Sequence, residues 1–242
     1  MILFHRAEGL PQRQMLMRSK ETSERHRQRR ASGFSLVEMV TVMAIAIVVS
    51  VVSILGMMPV MNAQHVINGY NTTLSALRQA RDNAVSQSTS YSVVFSNSVT
   101  PNTITVAPTL TFPGDQRSVI YSLPTDVTFQ TNTAISGTTA PDTSAGASFG
   151  SGSNAIDFGY TASGNTGAAT AYTIYFCPDG SAQTSSTCAG ANFWDDGVVY
   201  LARAVGTDLL SSRAITLWGG TGRLHGWRLY SKSGGGYQWV RQ

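Results

Sequence analysis

The chain has 242 residues, of which 42% are hydrophobic and 12% are charged, and its formal net charge is +4. Residues 1–33 contain eight basic residues (Lys and Arg) and three acidic ones. Residues 34–242 contain nine basic residues and ten acidic ones. The basic character therefore belongs to the N-terminal leader and does not by itself indicate an anionic partner for the remainder. The leader and an apolar run take up the first quarter of the chain, which leaves sequence for about one soluble domain.

An apolar run extends from Phe34 to Met58 with a single charged residue, Glu38. As a helix rising about 1.5 Å per residue, this run would measure roughly 37 Å, which exceeds the ~30 Å hydrocarbon core of a membrane. Four arginines crowd its N-terminal side: Arg25, Arg27, Arg29 and Arg30. Because positive charge favours the cytoplasmic side, we predict a transmembrane helix at residues 34–58, with residues 1–33 in the cytoplasm and the C-terminus outside.

The order of small and apolar residues does not fit a secretory signal peptide. Such a signal has a shorter apolar region followed by a small-x-small cleavage site, but here the small residues "RASG" precede the apolar run. The stretch "GFSLVEMVTVMAIAIVVSVVSILG" resembles instead the class III signal of type IV pilins and of the pseudopilins of type II secretion. The resemblance implies cleavage after Gly33 by a prepilin peptidase, N-methylation of Phe34, and a function in filament assembly for Glu38.

Glu38 would be costly in a membrane without a partner. A charge at the centre of a membrane helix costs about 2.5–3.5 kcal/mol, and less near the interface. Cleavage would create a partner, the amino group of Phe34, in the same helix or in a neighbouring subunit, where the pair would set the stagger between subunits. Taken alone, Glu38 also fits an interfacial charge on a plain single-pass anchor.

The segment after the apolar run predicts an amphipathic half of the same helix, at residues 59–90. Pro59 removes a backbone donor, so the sequence predicts a kink or a short break there. Apolar residues then recur at three- and four-residue steps, which predicts a face that lies on a sheet. These residues are Val66, Tyr70, Leu74, Leu77, Ala84 and Val85. The polar face carries Arg78, Arg81 and Asp82.

Residues 91–242 contain short β-branched runs separated by Gly, Pro, Asn and Ser, which predict antiparallel strands. The predicted strands cover residues 91–95, 103–107, 117–123, 127–130, 155–158, 172–176, 197–203, 214–218 and 223–230, with "YQWV" as a closing hairpin partner. Residues 131–170 are rich in Ser, Thr, Gly, Ala and Asn, and they predict a long loop with one strand in it.

This order of elements predicts an α+β protein and resembles the pilin fold, in which a long N-terminal helix packs on an antiparallel β-sheet head. The stretches "ALRQARDNAVSQSTSYSVVF", "YTIYFCPDGSA" and "ITLWGGTGRLHGWRLY" resemble the GspH/FimT subfamily of minor pseudopilins and pilins.

Cys177 and Cys188 lie in the loop-like stretch "CPDGSAQTSSTC", a spacing that fits neither a metal site nor a Cys-x-x-Cys redox motif. We predict a disulfide formed in an oxidising compartment, which would contribute about 2–3 kcal/mol for so small a ring. Two unpaired buried thiols are the alternative.

The sequence past Gly33 offers little for catalysis. His65 and His225 have no nucleophile pattern near them, and each is interpreted as a solvated or packing residue. We therefore predict no enzyme and no cofactor. Three loop acids, Asp179, Asp195 and Asp196, have oxygens of the kind that bind calcium, but their spacing matches no EF-hand, so solvated acids are the simpler interpretation.

The C-terminal region is both basic and aromatic. Past Asp208 it contains five basic residues and no acid: Arg213, Arg223, Arg228, Lys232 and Arg241. With the interleaved Trp and Tyr residues, the last four support an alternative function in DNA binding. The simpler interpretation is a sheet edge with core aromatics and solvated arginines. "GGTGR" at 219–223 lacks the ending of a phosphate loop and predicts a turn between strands.

FimT-like pilins that serve DNA uptake carry a Gly-Arg-x-Arg signature near the C-terminus. The matching residues here are Gly222, Arg223, Leu224 and His225, so a histidine replaces the second arginine. Arg228 would compensate only if a bulge at Gly226 turned it to the same face.

The resemblance implies a minor pseudopilin or pilin in the bacterial inner membrane, with its head in the periplasm and later in a periplasmic filament. The partners implied by the resemblance are a prepilin peptidase, other pilins or pseudopilins, and the inner-membrane assembly platform, with DNA as an alternative partner.

Overall fold

In the computed structural model, the described residues are 34–110, 117–131, 141, 149, 154–161, 164–165, 172–188, 194–204 and 209–242. They form one long α-helix and antiparallel β-sheets, which confirms the α+β class. The predicted leader, including Gly33, lies outside the described residues. By its contacts the chain divides into two units, 1–50 and 51–242.

Helix α1 extends from Leu36 to Gln87. It continues through Pro59, so of the two alternatives predicted there the short break is wrong, and the kink stays a prediction. Proline removes only one backbone donor, and the helical conformation is kept on both sides of it.

A Schellman motif ends the helix at Gln87, three residues before the predicted boundary. Ser88 adopts a left-handed conformation with φ 51°. The Thr89 N–H donates to the carbonyl of Ala84 at 3.3 Å, and the Ser88 N–H donates to that of Val85 at 3.4 Å.

Twelve described strands form two antiparallel sheets. The five-stranded sheet has the order β3-β2-β1-β7-β8 and contains β1 (Tyr91–Ser96), β2 (Thr103–Pro108), β3 (Val119–Ser122), β7 (Thr173–Phe176) and β8 (Ala182–Gln183). The seven-stranded sheet has the order β12-β11-β10-β9-β5-β6, and β4 also pairs with β9. Its strands are β4 (Val127–Phe129), β5 (Ile156–Thr161), β6 (Gly164–Asn165), β9 (Asp196–Arg203), β10 (Arg213–Trp218), β11 (Arg223–Ser231) and β12 (Tyr237–Arg241). Every predicted strand is present. The structure adds β6 and β8, which have two residues each and are too short to be recognised from a sequence pattern.

The main core lies between α1 and one face of each sheet. The helix contributes a buried stripe at steps of three and four residues: Val66, Tyr70, Thr73, Leu77, Ala80 and Ala84. The predicted face is therefore confirmed, with Leu74 partly buried against the core. Val85 is 47% exposed, because it lies about 100° around the helix from the buried Ala84.

The core requires a glycine where β11 meets the helix. A Cβ on Gly226 would overlap the hydroxyl of Tyr70. Gly226 therefore allows a strand backbone to lie directly on an aromatic side chain of α1.

A second cluster covers the other face of the seven-stranded sheet. Its buried members are Phe149, Val198, Tyr200 and Ala214, and three partly buried tryptophans, Trp218, Trp227 and Trp239, pack against them. The three C-terminal tryptophans therefore pack in a hydrophobic cluster, in agreement with the simpler interpretation of the sequence, whereas Tyr230 is exposed.

Candidate functional site

Two of the predicted site residues lie at the start of α1, and both are exposed. Phe34, predicted to be methylated after cleavage, lies two residues before the helix, and Glu38, predicted for assembly, lies in its first turn. The carbonyl of Ser35 accepts a hydrogen bond from the Met39 N–H at 3.1 Å, so Ser35 occupies the position before the helix. Within the described chain, the Glu38 side chain forms no hydrogen bond or ion pair. Ser35 and Glu38 have the spacing of a capping box, but the Glu38 side chain does not form the hydrogen bond that this motif requires. The helix dipole favours an acid in the first turn, which gives Glu38 a local explanation beside the one from assembly.

The first half of α1 is apolar on all sides. From Phe34 to Met61, every side chain that the structure describes is exposed. Its large apolar side chains expose between 48% and 80% of their surface. By length and composition, this helix is able to cross a membrane.

The predicted disulfide is present. Cys177 and Cys188 are bonded, with their Cα atoms 5.7 Å apart. The Cys177 carbonyl accepts a hydrogen bond from the Gly180 N–H at 2.8 Å, and the Cys177 N–H donates to the Ser181 carbonyl at 2.9 Å. These hydrogen bonds close a compact turn between β7 and β8, and the disulfide links the start of this turn to Cys188, which lies after β8.

Arg81 of α1 connects this turn to the turn between β10 and β11. Its Nε–H points to two carbonyl oxygens, that of Thr221 at 3.2 Å and that of Gly180 at 3.4 Å. Gly222, with φ 59°, permits this approach, since a Cβ there would overlap the Gly180 oxygen and lie 2.8 Å from the Arg81 Nε. The turn predicted from "GGTGR" is thus confirmed, and its second function is to hold the helix.

Two of the three loop acids are buried acceptors, so their interpretation as solvated acids is wrong. One carboxylate oxygen of Asp195 accepts hydrogen bonds from the N–H and the hydroxyl of Thr184, both at 2.6 Å. Asp196 accepts from the Gly219 N–H at 2.7 Å. Both carboxylates thus bind loop donors, which compensates the cost of burying them.

Asp179 is exposed and accepts hydrogen bonds from the N–H and the hydroxyl of Ser181, at 2.9 and 2.7 Å. These bonds stabilise the carboxylate and lower the pKa of Asp179 from its ordinary value. Among the described residues, no three His, Cys, Asp or Glu side chains come together as metal ligands.

The structure separates the basic residues proposed for DNA contact. Strands β10 and β11 pair in one register without a bulge at Gly226, so residues of β11 alternate regularly between the two faces. Arg223 lies opposite Trp218, on the face of the tryptophan cluster, whereas Arg228 lies opposite Arg213 on the other face. Compensation by Arg228 is therefore excluded.

The remaining basic residues do not form one patch either. Arg241 lies opposite Trp227 and shares the face of Arg223, while Lys232 lies in the turn after β11. Arg213 is buried, and its Nη1 donates to the Ser211 and Ser212 carbonyls at 2.8 and 3.1 Å.

The histidines have structural contacts that sequence reasoning missed. His65 Nδ1 lies 2.9 and 3.0 Å from the two carboxylate oxygens of Asp126, and Arg203 Nε lies 3.6 Å from the same carboxylate. This bridge connects α1 to the seven-stranded sheet, so His65 is not merely solvated. His225 lies in β11, with its ring centroid 6.3 Å from that of Trp218.

Comparisons of the chain with protein-family models, with curated proteins and with solved structures return no match.

Proposed function

We propose that this protein is a pilin-type filament subunit, a minor pseudopilin of the GspH/FimT type in a type II secretion system or a type IV pilus. In this proposal a prepilin peptidase cleaves after Gly33 and methylates Phe34. The mature subunit spans the bacterial inner membrane with its head in the periplasm. It is then incorporated into a filament through contacts with other subunits and with the inner-membrane assembly platform.

One observation carries the proposal. A single helix combines an exposed, all-round apolar half that begins two residues after Phe34 with a second half that is buried on a β-sheet head. A plain membrane anchor needs only the apolar half. In a filament subunit, the exposed half packs on neighbouring helices, whereas the packed half contributes to the core of the head.

The mechanism is structural. The exposed apolar half moves from lipid to the equivalent surfaces of neighbouring helices, so its apolar area stays out of water throughout. Glu38, which has no partner within the described chain, pairs with the Phe34 ammonium of a neighbouring subunit. Because an unpaired charge in that environment is costly, the pair selects one stagger between subunits.

Intact mass and N-terminal sequencing of the full-length protein, with and without a co-expressed prepilin peptidase, test the proposal. We expect a product that begins at methylated Phe34 only when the peptidase is present, and an uncut chain for Gly33→Val. An uncut wild-type chain beside an active peptidase would refute the proposal.

Glu38 variants separate assembly from helix capping. Glutamine preserves the hydrogen-bonding pattern of a capping box but removes the charge. We therefore expect both Glu38→Gln and Glu38→Ala to reduce incorporation into filaments by about tenfold or more, with cleavage unchanged. Asp82→Asn, which removes an exposed acid from the other half of α1, is the matched control and should assemble normally. Normal assembly of Glu38→Gln would contradict the proposed pairing of the Glu38 carboxylate with the Phe34 ammonium.

A further inference from the structure

We propose that Arg81, Thr221 and Arg223 form a binding site for a single oxoanion, a carboxylate or a phosphate group. These residues line an open pocket of about 310 Å³ in the unit formed by residues 51–242. The inference does not depend on the proposed function.

Arg81 presents unused donors at this pocket. Its Nε–H is engaged with the carbonyl oxygens of Thr221 and Gly180, which fixes the plane of the guanidinium group. Its two Nη groups make no hydrogen bond within the described chain. A guanidinium carries five N–H donors, so four of them remain for a ligand.

Arg223 lines the same pocket and supplies a second cation. It is the first residue of β11, is exposed, and forms no ion pair with any described residue. Gly222 lies between Thr221 and Arg223 in the sequence, and its lack of a Cβ lets the turn approach Arg81 closely. The pocket thus combines a fixed guanidinium with a second one that is free to close on a ligand.

No described carboxylate forms an ion pair with Arg81 or Arg223. The Asp179 carboxylate in the disulfide loop is engaged by Ser181, and the Asp196 carboxylate accepts from the Gly219 N–H of the turn that contains Thr221. The pKa of Asp179 is lowered by the hydrogen bonds from Ser181, with no arginine among the causes. Two guanidinium groups without an acid favour an oxoanion, which each of them can bind through paired N–H donors.

The geometry favours one anionic group over an extended nucleic-acid strand. Arg228 lies on the opposite face of the sheet from Arg223. Arg241 lies opposite Trp227, which is four residues along β11 from Arg223, or about 13 Å at the usual rise of a strand. The pocket therefore offers two cations at one point and no continuous basic track.

Thr221 provides a local probe in the full-length protein. Residues 1–33 contain eight Lys and Arg, so a bulk measurement of anion binding would include the leader. We would label threonine methyl groups, place the full chain in neutral detergent micelles, and titrate inorganic phosphate and acetate against chloride at equal ionic strength. We expect a saturable shift of the Thr221 methyl signal with phosphate or acetate, and none with chloride.

Two variants make the test specific. Arg223→Gln, at an exposed side chain without ion pairs, should weaken binding by about tenfold or more. Arg241→Gln, an arginine on the same face but outside the pocket, should leave it unchanged. A Thr221 signal that does not saturate, or equal losses in the two variants, would overturn the proposal. A (dT)12 oligonucleotide that binds with equal dependence on Arg223 and Arg241 would also overturn it, in favour of a nucleic-acid surface.

Discussion

The two halves of α1 differ both in how many apolar residues they contain and in where those residues lie. The exposed half, residues 36–61, is apolar around its whole circumference, and no described side chain in it is buried. In the packed half, residues 62–87, the buried apolar residues lie on one stripe, and both sheets cover that stripe. A stripe can be buried by a sheet, whereas an all-round apolar surface needs lipid or other helices. The distribution of apolar residues therefore decides which partner each half takes.

The largest difference between the halves is expected from matched leucine truncations. Leu77 in the packed half is fully buried, whereas Leu55 in the exposed half is 62% exposed. Leu77→Ala should reduce the free energy of unfolding of the head by about 2–5 kcal/mol, because it leaves a cavity. Leu55→Ala should change it by less than about 0.5 kcal/mol.

Urea denaturation in neutral detergent, followed by tryptophan fluorescence, would measure both variants, since all four tryptophans lie in the head. Equal effects of the two truncations would contradict the division of the helix into two halves.

A pair of glycine variants tests how Arg81 anchors the packed half. Gly222 and Gly235 both have positive φ, but only Gly222 has neighbours that a Cβ would meet. Gly235→Ala should cost about 1–2 kcal/mol from backbone strain alone. Gly222→Ala adds overlap with the Gly180 carbonyl, so we expect about 2–4 kcal/mol.

The same denaturation experiment separates the two contributions. If Gly222→Ala costs no more than Gly235→Ala, the close approach of Arg81 to the turn contributes nothing to stability.

A substitution at the C-terminal end of α1 is expected to increase the stability of the protein. Ser88 adopts the left-handed conformation that glycine adopts without strain. Ser88→Gly should therefore raise the free energy of unfolding by about 0.5 kcal/mol, the strain relief exceeding the added entropy of the unfolded chain. Ser86→Gly, at an exposed position inside the helix, should instead be destabilising by up to about 1 kcal/mol. A loss of stability in both variants would contradict the assigned helix end.

The smallest effect concerns the disulfide loop against which Arg81 packs. Hydrogen bonds from Ser181 lower the pKa of Asp179 below its ordinary value of 3.8. The folded state therefore binds this proton less well than the unfolded state, and the resulting stability is present above pH 3.8 and is lost as the pH falls through the lowered pKa.

Ser181→Ala should raise the pKa of Asp179 toward 3.8, and a carbon-detected NMR titration of the Asp179 carboxyl group would measure it. Thr187→Ala, which removes a hydroxyl elsewhere in the loop, is the control. An unchanged pKa in Ser181→Ala would contradict the assigned cause.

The sequence by itself determined the elements whose signal is local. The helix stripe around Leu77 has helical periodicity, the strands alternate and are separated by turn residues, and the spacing of Cys177 and Cys188 suits a small disulfide ring. Each of these signals lies within a few residues of the chain. The boundaries were less well determined, since Pro59 does not interrupt the helix and Gln87 ends it earlier than expected.

Only the tertiary structure decided which distant groups meet. Arg81 and Thr221 are 140 residues apart in sequence, and His65 and Asp126 are 61 apart. No local pattern marks such pairs, because their contacts depend on how the turns at the ends of the sheets approach the helix. The position of Arg228 on the face opposite Arg223 likewise required the strand register, since one bulge would have reversed it.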